Sequence, residues 1–139
     1  MSVVLARIAD TPIDAAGVDA AVAGPSHGAV VSFAGIVRDH DGGRSVVSLA
    51  YEAHPDAEAA LTASAERIAA RHPTVRLAVV HRVGDLVVGD LALACAVASA
   101  HRAAAFEACR ELVDDVKATV PIWKRQVFAD GTDEWVGAL

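Results

Sequence analysis

The segment from Arg102 to Thr119 carries apolar residues at helical spacing and is stopped by Pro121, because the residue before a proline is pushed out of helical geometry. At about 100° per residue, Phe106, Cys109, Leu112, Val113 and Val116 share one arc that must face a core, while Glu107, Glu111, Asp114 and Asp115 lie on the other side. Ser99 stands where such a helix needs a cap. After the proline, Trp123 to Ala129 has strand character, and Asp130-Gly131 signals a tight turn before a short arm ending in Trp135-Val136. Strand alternation places Lys124 and Gln126 on one face and Trp123 and Arg125 on the other.

The same segment holds the chain's unusual chemistry. Of its 12 basic residues, 10 are arginine, and the two lysines, Lys117 and Lys124, both fall between Ser99 and Gln126. A lysine among arginines supplies what guanidinium cannot: a compact, flexible charge, or an amine able to lose its proton. Arg102, Arg110 and Lys117 project within about 40° of Phe106 on the helical wheel, at the edge of the expected buried stripe. A lysine held there is expected to be partly desolvated and close to other cations, and both effects lower an amine pKa. The plainer reading is that Lys117 snorkels to water from the last turn, where a cation also favours the helix dipole. That reading leaves Lys124 and Arg125, on the returning strand, without explanation.

Composition narrows the rest. At 139 residues, with 54% hydrophobic and 22% charged, the chain is expected to form one globular domain over 1–139, and with only 4% aromatics its core must be built from Val, Ala and Leu. The N-terminus does not read as a signal peptide, and the longest apolar stretch, Leu86 to Ala100, is broken by Gly89 and Asp90 and too short to span a bilayer. The expected location is the cytoplasm. A net charge of −6 argues against nucleic-acid binding, which needs a broad cationic face, so any anion must be met by a local basic pocket. Cys95 and Cys109 lack CxxC spacing and lie in apolar runs, so they read as buried core thiols. The six histidines show neither HxxxH nor HExxH, and no metal site is expected.

Upstream, Val3 to Ile8 reads as a strand, Asp14 to Ala23 as a weak helix, and Ala29 to Val37 as a buried strand with a bulge or close backbone approach at Gly35. A glycine-containing loop, Arg38 to Arg44, leads into a hairpin strand from Ser45 to Tyr51 on which Val47, Leu49 and Tyr51 alternate. Arg38, at the strand end, is the loop's candidate for ligand contact, with a solvated arginine as the alternative. His54-Pro55-Asp56 opens a helix whose stripe is Ala60, Leu61, Ser64, Ala65 and Ile68, ending at His72-Pro73. Val75 to Val83 and Leu91 to Ala98 read as neighbouring strands. Gly84 to Gly89 has the spacing of a phosphate loop, but Asp90 stands where that motif needs lysine.

Taken in order, GAVVSFAGIVR (Gly28 to Arg38), VHRVG (Val80 to Gly84), Gly89-Asp90, SAHRAAAFEA (Ser99 to Ala108) and KATVPIWKR (Lys117 to Arg125) resemble the large, catalytic subunit of molybdopterin synthase. The resemblance runs nearly end to end. It implies an α+β protein of the α/β hammerhead type, with a mostly antiparallel sheet, two main helices and a short N-terminal helix. It further implies a homodimer, each copy receiving the Gly-Gly thiocarboxylate tail of a small ubiquitin-like sulfur-carrier subunit. Sulfur from that tail converts cyclic pyranopterin monophosphate into the molybdopterin dithiolene, with no cofactor of the large subunit's own. By motif, Arg38, His101, Arg102, Lys117, Lys124 and Arg125 form the substrate-binding set, and Lys117 and Lys124 the catalytic pair. A lysine could act there as base or as nucleophile on the carrier carbonyl. Two positions depart from the family pattern: Gln126 stands where an acidic residue is common, and Ala34 where threonine is. The competing class is a non-catalytic module that holds an acidic or phosphorylated tail in the same basic pocket.

Overall fold

The computed structural model describes residues 2–137. Its centre is a pair of strands, β5 (Arg76–Arg82) and β7 (Leu91–Ser99), which pair antiparallel and are buried along nearly their whole length. Strand β1 (Val3–Ala9) flanks β5 in parallel, and β2 (Ala29–Ile36) flanks β7 antiparallel, giving the order β1-β5-β7-β2. Successive side chains on β5 and β7 point to opposite faces. Leu77, Val79, Leu93, Cys95 and Val97 therefore join one core, and Ala78, Val80, Ala94, Ala96 and Ala98 join another.

The first core is closed by two helices, α2 (Ala57–Arg71) and α3 (Arg102–Thr119), through Leu61, Ala65 and Ile68 on one and Ala108, Leu112 and Val116 on the other. The second core is closed by α1 (Ala15–Val22), whose Val18 and Val22 rest on the alanine row. A second sheet is built around β4 (Arg44–Ala53) and β8 (Ile122–Phe128), with β3 (His40–Asp41) and β9 (Asp133–Gly137) at its edges and β6 (Gly84–Val87) also pairing β4. Among the described residues β1 with β5 is the one parallel pair. No described helix is long and apolar enough to cross a membrane.

The boundaries of α3 agree with the helical spacing, but its buried face is rotated. The stripe runs through Ala105, Ala108, Cys109, Leu112 and Val116, whereas Phe106 sits about 120° from Leu112 and is 62% exposed. Small alanines, not the aromatic ring, let the helix approach the sheet. Ser99 is not the cap; it is the buried last residue of β7, and His101 takes the N-cap position without a side-chain cap bond. Three strand expectations also need correction. Strand β2 is a sheet edge with Val30, Ser32, Ala34 and Ile36 exposed, so its apolar run is not buried on both faces. A register shift between Val46 and Ser48 buries Val46 and turns Val47 outward. Gly84 to Val87, for which no strand is expected from the sequence, forms β6.

Polar contacts lock α2 to α3. Asp115 accepts hydrogen bonds from the fully buried Ser64 hydroxyl and from Arg67, the latter at 2.7 Å. Burial pushes the Asp115 carboxyl up, but the bonds from Arg67 and Ser64 outweigh it and hold the group below its ordinary value of 3.8. One turn earlier on α3, Glu111 pairs with His72 and with Arg71. Asp115→Ala should destabilise the fold by about 2 kcal/mol in urea unfolding at pH 7, since it leaves a buried hydroxyl unpaired. The unfolded carboxyl takes up its proton before the folded one as acid is added. The wild-type advantage is thus complete above 3.8 and should fade as pH falls through the lowered folded value.

Candidate active site

Where the helix-covered sheet meets the second sheet, a cavity of about 310 Å³ opens between the end of β2, strands β4, β5 and β8, and the last turns of α3. The charged side chains on its wall are Arg38, Lys117 and Lys124, all cations. Register explains how β4 and β8 contribute. Tyr51 lies opposite Lys124 and Leu49 opposite Gln126, and alternation sends all four to the cavity face. Trp123 and Arg125 take the other face, as strand alternation requires, and Arg125 pairs there with Asp133 at 2.6 Å. The sharp stop at Pro121 brings β8 back beside Lys117 within a few residues.

Lys117 is exposed and not partly desolvated, because the rotated stripe leaves it about 140° from Leu112. Its place is the rim of the cavity. Lys124 is half-buried on the wall. Arg38 follows β2 and donates to Asp41 at 3.2 Å, and Asp41 also accepts from the buried Gln126 amide at 2.7 Å. The Gln126 bond, followed by the charges of Lys124 and Arg38, holds the Asp41 carboxyl below its usual range against the opposing effect of burial.

Three lining residues carry chemistry beyond the expected set: Tyr51, His81 and Gln126. His81 is 1% exposed and stacks edge-on to Tyr51, with ring centroids 4.9 Å apart and planes at 82°. Its Nδ1–H donates to the Arg82 carbonyl at 2.7 Å, which leaves Nε2 with a free lone pair. Burial lowers the imidazole pKa to about 4; the Arg82 bond opposes this and the Lys117 charge adds to it. His81 is therefore a neutral acceptor near pH 7. Burial likewise keeps the Tyr51 phenol protonated. A histidine inside the apolar run Val75 to Val83 was the available signal, since a polar ring on a central strand must serve some partner.

His101 and Arg102 are both exposed at the start of α3, and Lys117 lies near its end, about 22 Å along the axis at 1.5 Å per residue. Within one chain, then, Arg38, Lys117 and Lys124 share a cavity; His101, Arg102 and Arg125 do not line it. Cys95 and Cys109 are buried in the core, where burial pushes both thiols up and away from reactivity.

The MoaE protein family matches residues 8–119. Molybdopterin synthase catalytic subunit 1 of Mycobacterium tuberculosis is 42% identical over 132 residues, covering 94% of this chain and 89% of that one. The molybdopterin synthase catalytic subunit of Oryza sativa subsp. indica is 46% identical over 105 residues, 75% of this chain but 54% of the longer plant protein. In three dimensions, the crystal structure of molybdopterin synthase from Staphylococcus aureus superposes with a TM-score of 0.88 at 34% identity, covering 94% of this chain and 95% of that one. By sequence and by fold alike, this chain belongs to the MoaE family of molybdopterin synthase catalytic subunits.

Proposed function

We propose that the chain works as the catalytic subunit of molybdopterin synthase, a cytoplasmic sulfurtransferase of molybdenum cofactor biosynthesis formed by one domain of the α/β hammerhead type. The sulfur comes from the C-terminal thiocarboxylate of a small carrier subunit, and the acceptor is cyclic pyranopterin monophosphate. The observation that carries this reading is the convergence of Arg38, Lys117 and Lys124 on one cavity of a protein whose net charge is −6. Both reactants are anions. A small cationic cavity binds them where the rest of the surface repels them, and it stabilises negative charge that develops during transfer.

Within this reading Lys117 and Lys124 are the catalytic pair, and Arg38 binds substrate. Lys117, exposed at the rim, meets the incoming tail, and Lys124, half-buried on the β8 wall, faces the pterin. His81 Nε2 accepts a hydrogen bond from substrate, since its partner at Nδ1 is already fixed. His101 and Arg102, a helix length away, join the site from a second copy in a homodimer. Arg125 serves the same site indirectly, by fixing β9 against β8 through Asp133. The relatives' shared identity as synthase subunits leaves the tail-binding module without separate support.

Purified chain, mixed with thiocarboxylated carrier and the pyranopterin, should yield dithiolene, and Lys117→Ala or Lys124→Ala should lower that yield roughly 100-fold or more with folding intact by circular dichroism. Full activity in both variants would remove the lysines from the mechanism. A shared dimer site makes a separate prediction. Mixing unfolded and refolded Lys117→Ala and His101→Ala chains should restore about a quarter of wild-type activity, because half of the random dimers hold one intact site. In an NMR titration His81 should show a midpoint of about 4. A midpoint near its ordinary 6.5 would mean that the ring is hydrated and not the buried acceptor described above.

A further inference from the structure

Gln126 is 2% exposed, one of four buried polar or charged residues among the described ones, and its side chain reaches from β8 across to the β3–β4 hairpin. That hairpin turns through Gly42 and Gly43, both at positive φ (57° and 77°), the backbone that a two-residue turn between twisted strands demands. It carries Asp41 at its tip, next to the segment that presents Arg38. The Arg38 side chain is 66% exposed, and an exposed arginine samples many rotamers unless something fixes it.

We infer that Asp41 is a positioning residue: its Oδ2 accepts from Gln126 Nε2 at 2.7 Å and its Oδ1 from Arg38 Nη2 at 3.2 Å, so the carboxylate fastens the Arg38 guanidinium to the strand that carries Lys124. This rests on the substrate-binding role proposed for Arg38. Both donors converge on residue 41, Arg38 from the β2 side and Gln126 from β8, and each link uses a different oxygen of the same carboxylate. Its value lies in preorganisation: Arg38 meets the substrate anion without first losing its own rotamer freedom. Pure electrostatics makes the opposite prediction. Asp41 is an anion beside Arg38 and Lys124, so if charge alone counted, removing it would tighten the hold on an anionic substrate.

The test therefore has two signs. Asp41→Ala, beside the two-glycine turn of the hairpin, should raise KM for the pyranopterin about 10-fold with kcat changed by less than about 2-fold, the signature of lost binding order. A lowered KM would overturn the proposal. Gln126→Glu sets two carboxylates face to face and should raise KM similarly. Adding Asp41→Asn to it should bring KM back to within about 2-fold of wild type. In that double variant the amide introduced at position 41 donates to the carboxylate introduced at position 126 and still accepts from Arg38, at unchanged net charge. No recovery in the double variant overturns the relay. A second readout is independent of turnover: exchange of the Arg38 Nη protons with water, followed by 15N NMR, should quicken in Asp41→Ala and Gln126→Glu and slow again in the double variant. Unaltered exchange throughout overturns positioning even if the wild type makes dithiolene. Wild type that makes none, with exchange behaving as stated, overturns the sulfurtransferase reading while sustaining the relay.

Discussion

Everything in this protein hangs on two strands that are dry on both faces. Each fully buried Leu or Val side chain on β5 and β7 contributes about 1.5–3 kcal/mol of transfer free energy, and these strands place apolar residues alternately above and below the sheet. One face takes the large side chains and receives α2 and α3. The other takes mainly alanines, and the short α1 lies close against it. A one-residue slip would exchange the two faces and leave neither helix layer a surface that fits.

The cavity arises where this layered core gives way to the second sheet. His81 ends the buried run of β5, and its desolvation follows from that position. The cations, by contrast, come from ends of elements: Arg38 just past β2, Lys117 in the last turns of α3, Lys124 near the start of β8. Charged groups are costly to bury, so a fold gathers them most readily at the rims of its elements, with uncharged groups such as Gln126 and Tyr51 filling the interior wall. The result is a local positive field on a negative protein, aimed at anionic reactants.

The two helices of the Asp115 clamp also matter to the site. Lys117 leaves α3 two residues beyond Asp115, so the bonds from Ser64 and Arg67 that seat this turn on α2 also set the height of the lysine at the rim. Stability and site geometry meet in the same helical turn.

The amino-acid sequence by itself determined the elements whose signals are local. Pro121 ended α3 at Thr119, alternation separated Lys124 and Gln126 from Trp123 and Arg125, and the apolar runs around β5 and β7 marked the core. Ordered motifs sufficed for the family. Tertiary structure alone decided which side of α3 is buried, because helical periodicity gives an arc and only the partner sheet chooses between Phe106 and the smaller Ala105 and Ala108. It also decided that β2 is an edge, that a bulge turns Val47 outward, and that Lys117 remains exposed. Residues distant along the chain, Arg38 and Asp41 against Lys124 and Gln126, meet only when β3–β4 folds over β8. Such contacts depend on sheet register and packing, which no local spacing encodes.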